Sequence, residues 1–379
     1  MNWKQTADVA KRAAAASALA RAYLQSDLPF EERCAAEAAL TELTDDPSPR
    51  VRLALAEAIA TSARAPEQIV VSLLRDRYDI ASLIVARSPR VREVDLVERV
   101  RCGDPKLLLL IARRGEVGRM LALALSRFGS VDSVLAILGN SNAHVCGECR
   151  RIIADRFASD AGVRGALLEF KALEPVIRYK LVVAGADDLA ASGFTSQYLG
   201  GERARDAVEA ELQRSLLHII ARANGNQCAP LADALRVDGR LTTSLTIRIA
   251  CHGLMDFLAD VVAGLNGRSR ETVIDAFAAA RTTQLQNLLN ESGFAASVVA
   301  ILLQAIMKWR AVGQGRLSAG VQEITYGLLE AMETNGKSSA HDPANDDLEG
   351  LLRSIYLDAV RNNARSHARS VAQLHASAA

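Results

Sequence analysis

The sequence predicts an all-α fold: an α-solenoid of paired helices, then a helical C-terminal domain, then a tail helix. Three observations point there. Alanine supplies about a sixth of the 379 residues and leucine comes next, a mixture that favours helix. Only 9 prolines and 4% aromatic residues are present, too few for the turns and bulky β-formers of a sandwich or barrel. Apolar residues recur at spacings of three and four behind short polar turns, the period of an amphipathic helix. Half the residues are hydrophobic, which excludes a disordered chain, and the net charge of +1 announces no polyanionic partner.

At the N-terminus, Lys4, Lys11 and Arg12 flank an alanine run. Asp8 and the weak hydrophobicity of alanine make this an amphipathic helix rather than an export signal. Next, Asp45 and Asp46 with Pro47 and Pro49 form a helix start, an acidic cap followed by proline in the first turn. Val51, Leu55, Ala58 and Ile59 then share a face. The pattern returns at Ile80, Leu83 and Ile84, at Leu107, Leu110 and Ile111, and at Val145, Cys149 and Ile152. Second helices are expected at Glu67–Leu74, Val117–Phe128 and Val131–Leu138. The unit is a helical pair of about 25–35 residues, repeated from roughly residue 20 to 190, and such pairs bury their apolar faces by stacking.

Beyond the repeats, Glu202–Ala223 reads as a long charged helix. Thr242 or Thr243 supplies an N-cap, and Gly239 and Gly253 end helices. Further helices are expected at about 255–263, 269–280, 283–291, 294–311 and 318–334. The longest charge-free stretch, Ser292–Met307, is shorter than a span of ~20 residues and fits a core helix. The polar stretch 336–347 reads as a linker and 348–379 as an amphipathic basic tail helix. The expected domains are therefore 1–195, 196–335 and the tail.

Asp46, Val51 and Arg52, ahead of an Ala/Leu-rich helix, resemble the HEAT-type repeat. That resemblance implies Asp–Arg contacts between successive repeats. Ala81, Leu108 and Cys146 stand at the arginine position of the later units, so a continuous ladder is not expected. Leu109–Arg114, Ile137–Ala143, Gly239-Arg240-Leu241 and Cys251–Phe257 together resemble a bacterial, mainly alphaproteobacterial family catalogued as domain of unknown function 2336. It implies an all-helical fold with HEAT-like repeats and brings no activity or catalytic residues with it.

Chemistry-bearing motifs are sparse. His144, Cys146 and Cys149 could contribute soft ligands to zinc or a thiol pair for disulfide exchange, but no second Cys-x-x-Cys completes a metal site. The core-packing reading of these cysteines is preferred. Cys251-His252 reads as a core cysteine beside a partly exposed histidine, since neighbours on a helix point about 100° apart. His218 has no evident partner. Gly336-Lys337-Ser338 lacks the upstream glycine of a phosphate loop. No enzyme activity, metal or cofactor is expected.

Two surfaces are candidates for meeting partners, though ion pairing within the fold and docking on the same chain are the simpler readings. Arg87, Arg90, Arg92, Arg99, Arg101, Lys106, Arg113, Arg114 and Arg119 form a basic cluster. Interleaved acids and missing aromatics argue against nucleic acid there. On the tail, Leu351, Leu352 and Ile355 form an apolar stripe, followed by Arg361, Arg365 and Arg369 at four-residue steps. Such a helix is expected to dock back on its own chain as a cap, with a protein partner, a second copy or a membrane surface as alternatives. Deleting 336–379 is expected to leave the rest folded. The expected role is a non-enzymatic cytoplasmic scaffold or regulator acting on another protein.

Overall fold

The structure is a computed structural model that describes residues 8–192, 200–279, 281–336 and 343–378. Helix dominates throughout, and the described residues contain no β-strand, only an isolated bridge between Val117 and Ala143. The chain divides into two compact units, 1–173 and 174–379.

The first unit holds α1 (Val9–Gln25), α2 (Phe30–Thr44), α3 (Pro49–Ile59), α4 (Glu67–Leu74), α5 (Tyr78–Arg87) and α6 (Glu93–Arg101), then α7 (Pro105–Ala112), α8 (Arg119–Phe128), α9 (Val131–Gly139), α10 (Gly147–Phe157) and α11 (Ala161–Leu168). Each odd-numbered helix packs on the next odd one, from α1 through α11. Among the even helices α2 packs on α4, and α8 on both α6 and α10. The result is two rows of helices whose apolar faces meet between them. Val51, Leu55 and Ile59, Ile80 and Ile84, and Leu107 and Ile111 are all buried, as their spacing predicts.

Helix starts follow local chemistry. Asp104 accepts from the N–H groups of Lys106 and Leu107, and Asp160 from that of Val163. At α3 the expected acidic cap takes another form. Ser48 is the N-cap and Pro49 the first helical residue, while Asp46 accepts from the Ser48 N–H and is buried against Arg12. The first turn of α8 is capped from α6, because Glu93 accepts from the Leu121 N–H at 2.8 Å. A side chain at Gly118 would collide with that carboxylate.

The second unit holds α12 (Pro175–Ala191), α13 (Gly201–Arg222), α14 (Cys228–Val237), α15 (Thr243–Cys251) and α16 (Met255–Asn266). They are followed by α17 (Arg270–Ala279), α18 (Thr282–Glu291), α19 (Ala296–Gly313), α20 (Val321–Gly336) and α21 (Pro343–Ala378). One apolar cluster draws side chains from all ten, and α15 is central to it, with Leu245, Ile247, Ile249, Ala250 and Cys251 all buried. Thr242 caps α15 by accepting from the Leu245 N–H. The helix α19 is long and apolar enough to cross a membrane by length and composition. It packs on α15, α18 and α20, and Val298, Leu302, Ala305 and Ile306 are buried there. Of the expected linker, 337–342 lies outside the described residues, and α21 begins at Pro343, inside the remainder.

Candidate functional sites

In the first unit, arginines stitch successive helical pairs together. Arg12 on α1 donates from Nε to Asp46 at 3.0 Å. Arg52 on α3 donates to the Asp46 carbonyl at 2.6 Å and, from two nitrogens, to Asp76 at 2.6 and 3.0 Å. Arg99 on α6 donates to the Asp76 carbonyl. Beyond Asp76 the carboxylates give way to backbone. Arg114 donates to the Val85 carbonyl on α5, and Asn140 to the carbonyls of Ala112 and Arg114. Arg156 donates to those of Ser126 and Gly129. The links therefore continue past the point where the sequence pattern stops. The terminal carbonyls of a helix lack intrahelical partners and carry partial negative charge, so they substitute for an aspartate. Burial lowers the pKa of Arg114 and Arg156.

The basic cluster divides by what each side chain meets. Arg92 pairs with Glu67 at 2.8 Å and with Asp95 at 3.0 Å, and Arg90 lies 3.9 Å from Glu67. Arg99 and Arg114 serve as links, whereas Arg87, Arg101, Lys106, Arg113 and Arg119 are exposed. Of the two candidate partner residues here, Arg113 faces solvent and Arg114 is engaged within the unit.

The cysteine pair sits at the start of α10. Cys146 is the N-cap, Cys149 lies in the first turn, and their Sγ atoms are 3.4 Å apart. The pair is asymmetric. Burial opposes ionisation of Cys146, but the Cys149 and Glu148 N–H groups, the Cys149 thiol and the charge of Arg119 together lower its pKa. Cys149 is fully buried, and desolvation followed by the neighbouring Cys146 raises its pKa. His144 is exposed, and its N–H donates to the Val117 carbonyl. Among the described residues no group of three His, Cys, Asp or Glu is arranged to hold a metal.

In the second unit, the segment around Cys251-His252 is a structural corner. Gly253 has φ +72°, and a Cβ there would lie 2.8 Å from the Trp309 ring. The Trp309 indole donates to the Ala250 carbonyl at 2.9 Å. Burial pushes the Cys251 thiol up to about 12. His252 Nδ1 lies 2.8 Å from the Arg248 carbonyl. A carbonyl can only accept, so Nδ1 carries the proton and, in the neutral ring, Nε2 is left as an acceptor. Gly239 has φ +67°. Beside it Asp238 accepts from the buried Tyr179 at 2.8 Å and Arg240 pairs with Asp187 at 2.9 Å, tying this turn to α12.

The tail helix α21 packs on α20 and α15. Leu352 and Ile355 are buried in the unit's core and Leu351 is half-buried against it. Tyr356 lies against Tyr326, with ring centres 5.9 Å apart. The stripe that could have met a partner is thus covered within the unit. Arg361 and Arg365 line a cavity of about 380 Å³ that also takes Arg214 and His218 from α13 and Arg248 and His252 from the end of α15. Arg369 is exposed and does not line it. Arg214 and Arg248 were missed in the sequence. The available signal was three basic pairs at four-residue spacing, but the helices bearing them lie far apart in the chain.

Paired helices, with no strand among the described residues, define an all-helical protein. More particularly, the chain belongs to the family described as an uncharacterised protein conserved in bacteria (DUF2336), which it matches over residues 80–340. No curated protein and no solved structure matches the chain.

Proposed function

We propose that this protein is a non-enzymatic scaffold or regulator of the bacterial cytoplasm, and that α1–α11 form a HEAT-like solenoid that binds another protein. The observation that carries this reading is the pair-on-pair packing of the first unit, with half-buried polar links between successive pairs. Stacked pairs of this kind present a long surface on which binding residues need no catalytic geometry. Six free cysteines suit a reducing compartment. Arg113, exposed at the end of α7, is the first candidate contact. Site-specific photo-crosslinking from the exposed positions 101 and 106 of the full chain in its native cell tests the proposal. One protein cross-linked from both positions, and lost on Arg113→Glu, is expected. Cross-links only to nucleic acid, or none from either position, would sink it.

A second reading is favoured by the 3.4 Å approach of Cys146 and Cys149, namely a thiol pair that reduces low-molecular-weight disulfides. The Cys146 thiolate attacks one sulfur of the disulfide and expels a thiolate. The Cys149 thiol then loses its proton and displaces the second thiolate, closing a Cys146–Cys149 bond. The disulfide gains two electrons and leaves as two thiols. Incubation with oxidised glutathione followed by intact mass measurement should show a loss of two hydrogens that Cys146→Ser abolishes. Stable glutathionylation of Cys146 with no internal bond contradicts the mechanism.

A further inference from the structure

Three helices of the second unit each carry two basic side chains four residues apart: Arg214 and His218, Arg248 and His252, Arg361 and Arg365. Four residues is about one helical turn, so each pair shares a face. All six line the same cavity of about 380 Å³. Like charges oppose one another, and the cavity draws four arginines together, while burial lowers the pKa of His252 and disfavours its charged form. Asp358 is the one acid among the described lining residues, and it lies 3.6 Å from Arg361. Arg214 pairs with Glu211. Arg248 and Arg365 have no ion-pair partner among the described residues.

Arg248 carries the argument furthest. Its guanidinium reaches the Ser354 hydroxyl at 3.5 Å, and its buried Nε has no hydrogen-bond partner. Burial lowers its pKa despite the pull of Asp358. A cation taken from water without a full set of partners is costly, and an anion in the cavity would pair with the terminal nitrogens of the guanidinium, whose one side-chain contact among the described residues is Ser354. Leu217, Leu254 and Ile355 add an apolar wall, so the ligand has an apolar part beside its charge. A planar carboxylate offers two oxygens and satisfies one guanidinium fork. A phosphate monoester offers three terminal oxygens and close to two negative charges at neutral pH, enough to bridge three helices and match the two unpaired arginines.

We infer that the cavity between α13, α15 and α21 binds a small phosphorylated molecule, its phosphate held by Arg214, Arg248 and Arg365 and its apolar part against Leu217, Leu254 and Ile355. The bound phosphate also ties the tail helix to the rest of the unit, because Arg365 is on α21 and the other two arginines are not.

Calorimetric titration of the full chain with phenyl phosphate at constant ionic strength tests this, with benzoate and phenol as comparisons. Saturable one-to-one binding of phenyl phosphate is expected, with weaker benzoate and no phenol binding. Arg248→Gln and Arg365→Gln should each weaken it by about tenfold or more, the worth of a charge-assisted hydrogen bond. Arg369→Gln, outside the lining, should leave it unchanged. Circular dichroism establishes that each variant is folded. Absence of saturable binding up to millimolar phenyl phosphate overturns the assignment. So does binding that persists undiminished in folded Arg248→Gln and Arg365→Gln. Salt-steep binding of a nucleic-acid duplex with no response to phenyl phosphate also overturns it.

Discussion

Asp76 shows how one side chain joins two helical pairs. Its carboxylate accepts from two nitrogens of Arg52 and from the N–H of Arg77, while its own carbonyl accepts from Arg99. Burial alone would raise its pKa, but the Arg52 hydrogen bonds, the Arg77 N–H and the two arginine charges outweigh that and lower it. A carboxylate whose folded pKa is depressed stabilises the fold above its unfolded value of about 3.9. That contribution is lost as pH falls from there through the lower folded value. Acid titration of stability should therefore show a loss below about pH 4 that is flatter in Asp76→Asn. At neutral pH the same variant should cost about 1–3 kcal/mol, since Arg52 loses a charged acceptor. Denaturant unfolding at pH 7 and pH 3 measures both, and an unchanged acid limb in the variant refutes the role. The sequence made Arg52 and Asp46 visible as a pair, yet Asp46 meets Arg12 through its carboxylate and Arg52 only through its carbonyl. A pattern records which residue types recur, whereas the choice between a carboxylate and a carbonyl acceptor depends on how far a long side chain reaches.

At the scale of the element, helix positions were legible because core faces carry apolar stripes and several starts carry a polar cap, as at Asp104, Asp160 and Thr242. Glu67–Leu74 forms a helix with those bounds, and the long charged helix begins one residue earlier than its pattern suggests. For the tail helix the stripe alone leaves the depth of docking open. Its first half is not a detachable cap, because Leu352 and Ile355 are fully buried in the same cluster as α15. Its later half is exposed from Arg361 to Ser370. Removing 336–379 should destabilise the second unit, contrary to the expectation from sequence, while removing only 366–379 should leave its melting temperature unchanged. Leu352→Ala should cost about 2–5 kcal/mol, the usual range for emptying a packed leucine site. Thermal melts of the three variants decide this. Equal stability of the 336–379 deletion and the full chain would restore the detachable-tail view. Periodicity shows that a helix has an apolar face but not which helices cover it, and here the cover comes both from α20, next to it in the chain, and from α15, about a hundred positions upstream.

At the scale of the whole molecule, the two units bury their apolar residues in different ways, and this predicts how each unfolds. In the first, every odd-numbered helix rests on its neighbours in the row, so stability is a sum of local interfaces. In the second, one cluster takes side chains from all ten helices around α15, so loss of any layer exposes the rest. The basic cavity belongs to this second style, which is why no local motif announced it: its three walls come from α13, α15 and α21 and meet only after the cluster has formed. The family match, 80–340, takes in parts of both units but stops short of α21, which supplies Arg361 and Arg365. Fragments 1–173 and 174–379 should each fold alone, given that each unit has its own packed interior. The first should melt broadly, with hydrogen exchange graded along the array. The second should melt sharply, with exchange in α15 and α19 limited by global opening. A sharp, single transition in fragment 1–173 would mean that its pairs are coupled well beyond nearest neighbours, through the continuous line of links from Arg12 to Arg156. Asp76→Asn would then lower protection at both ends of the array instead of only in α3 to α6.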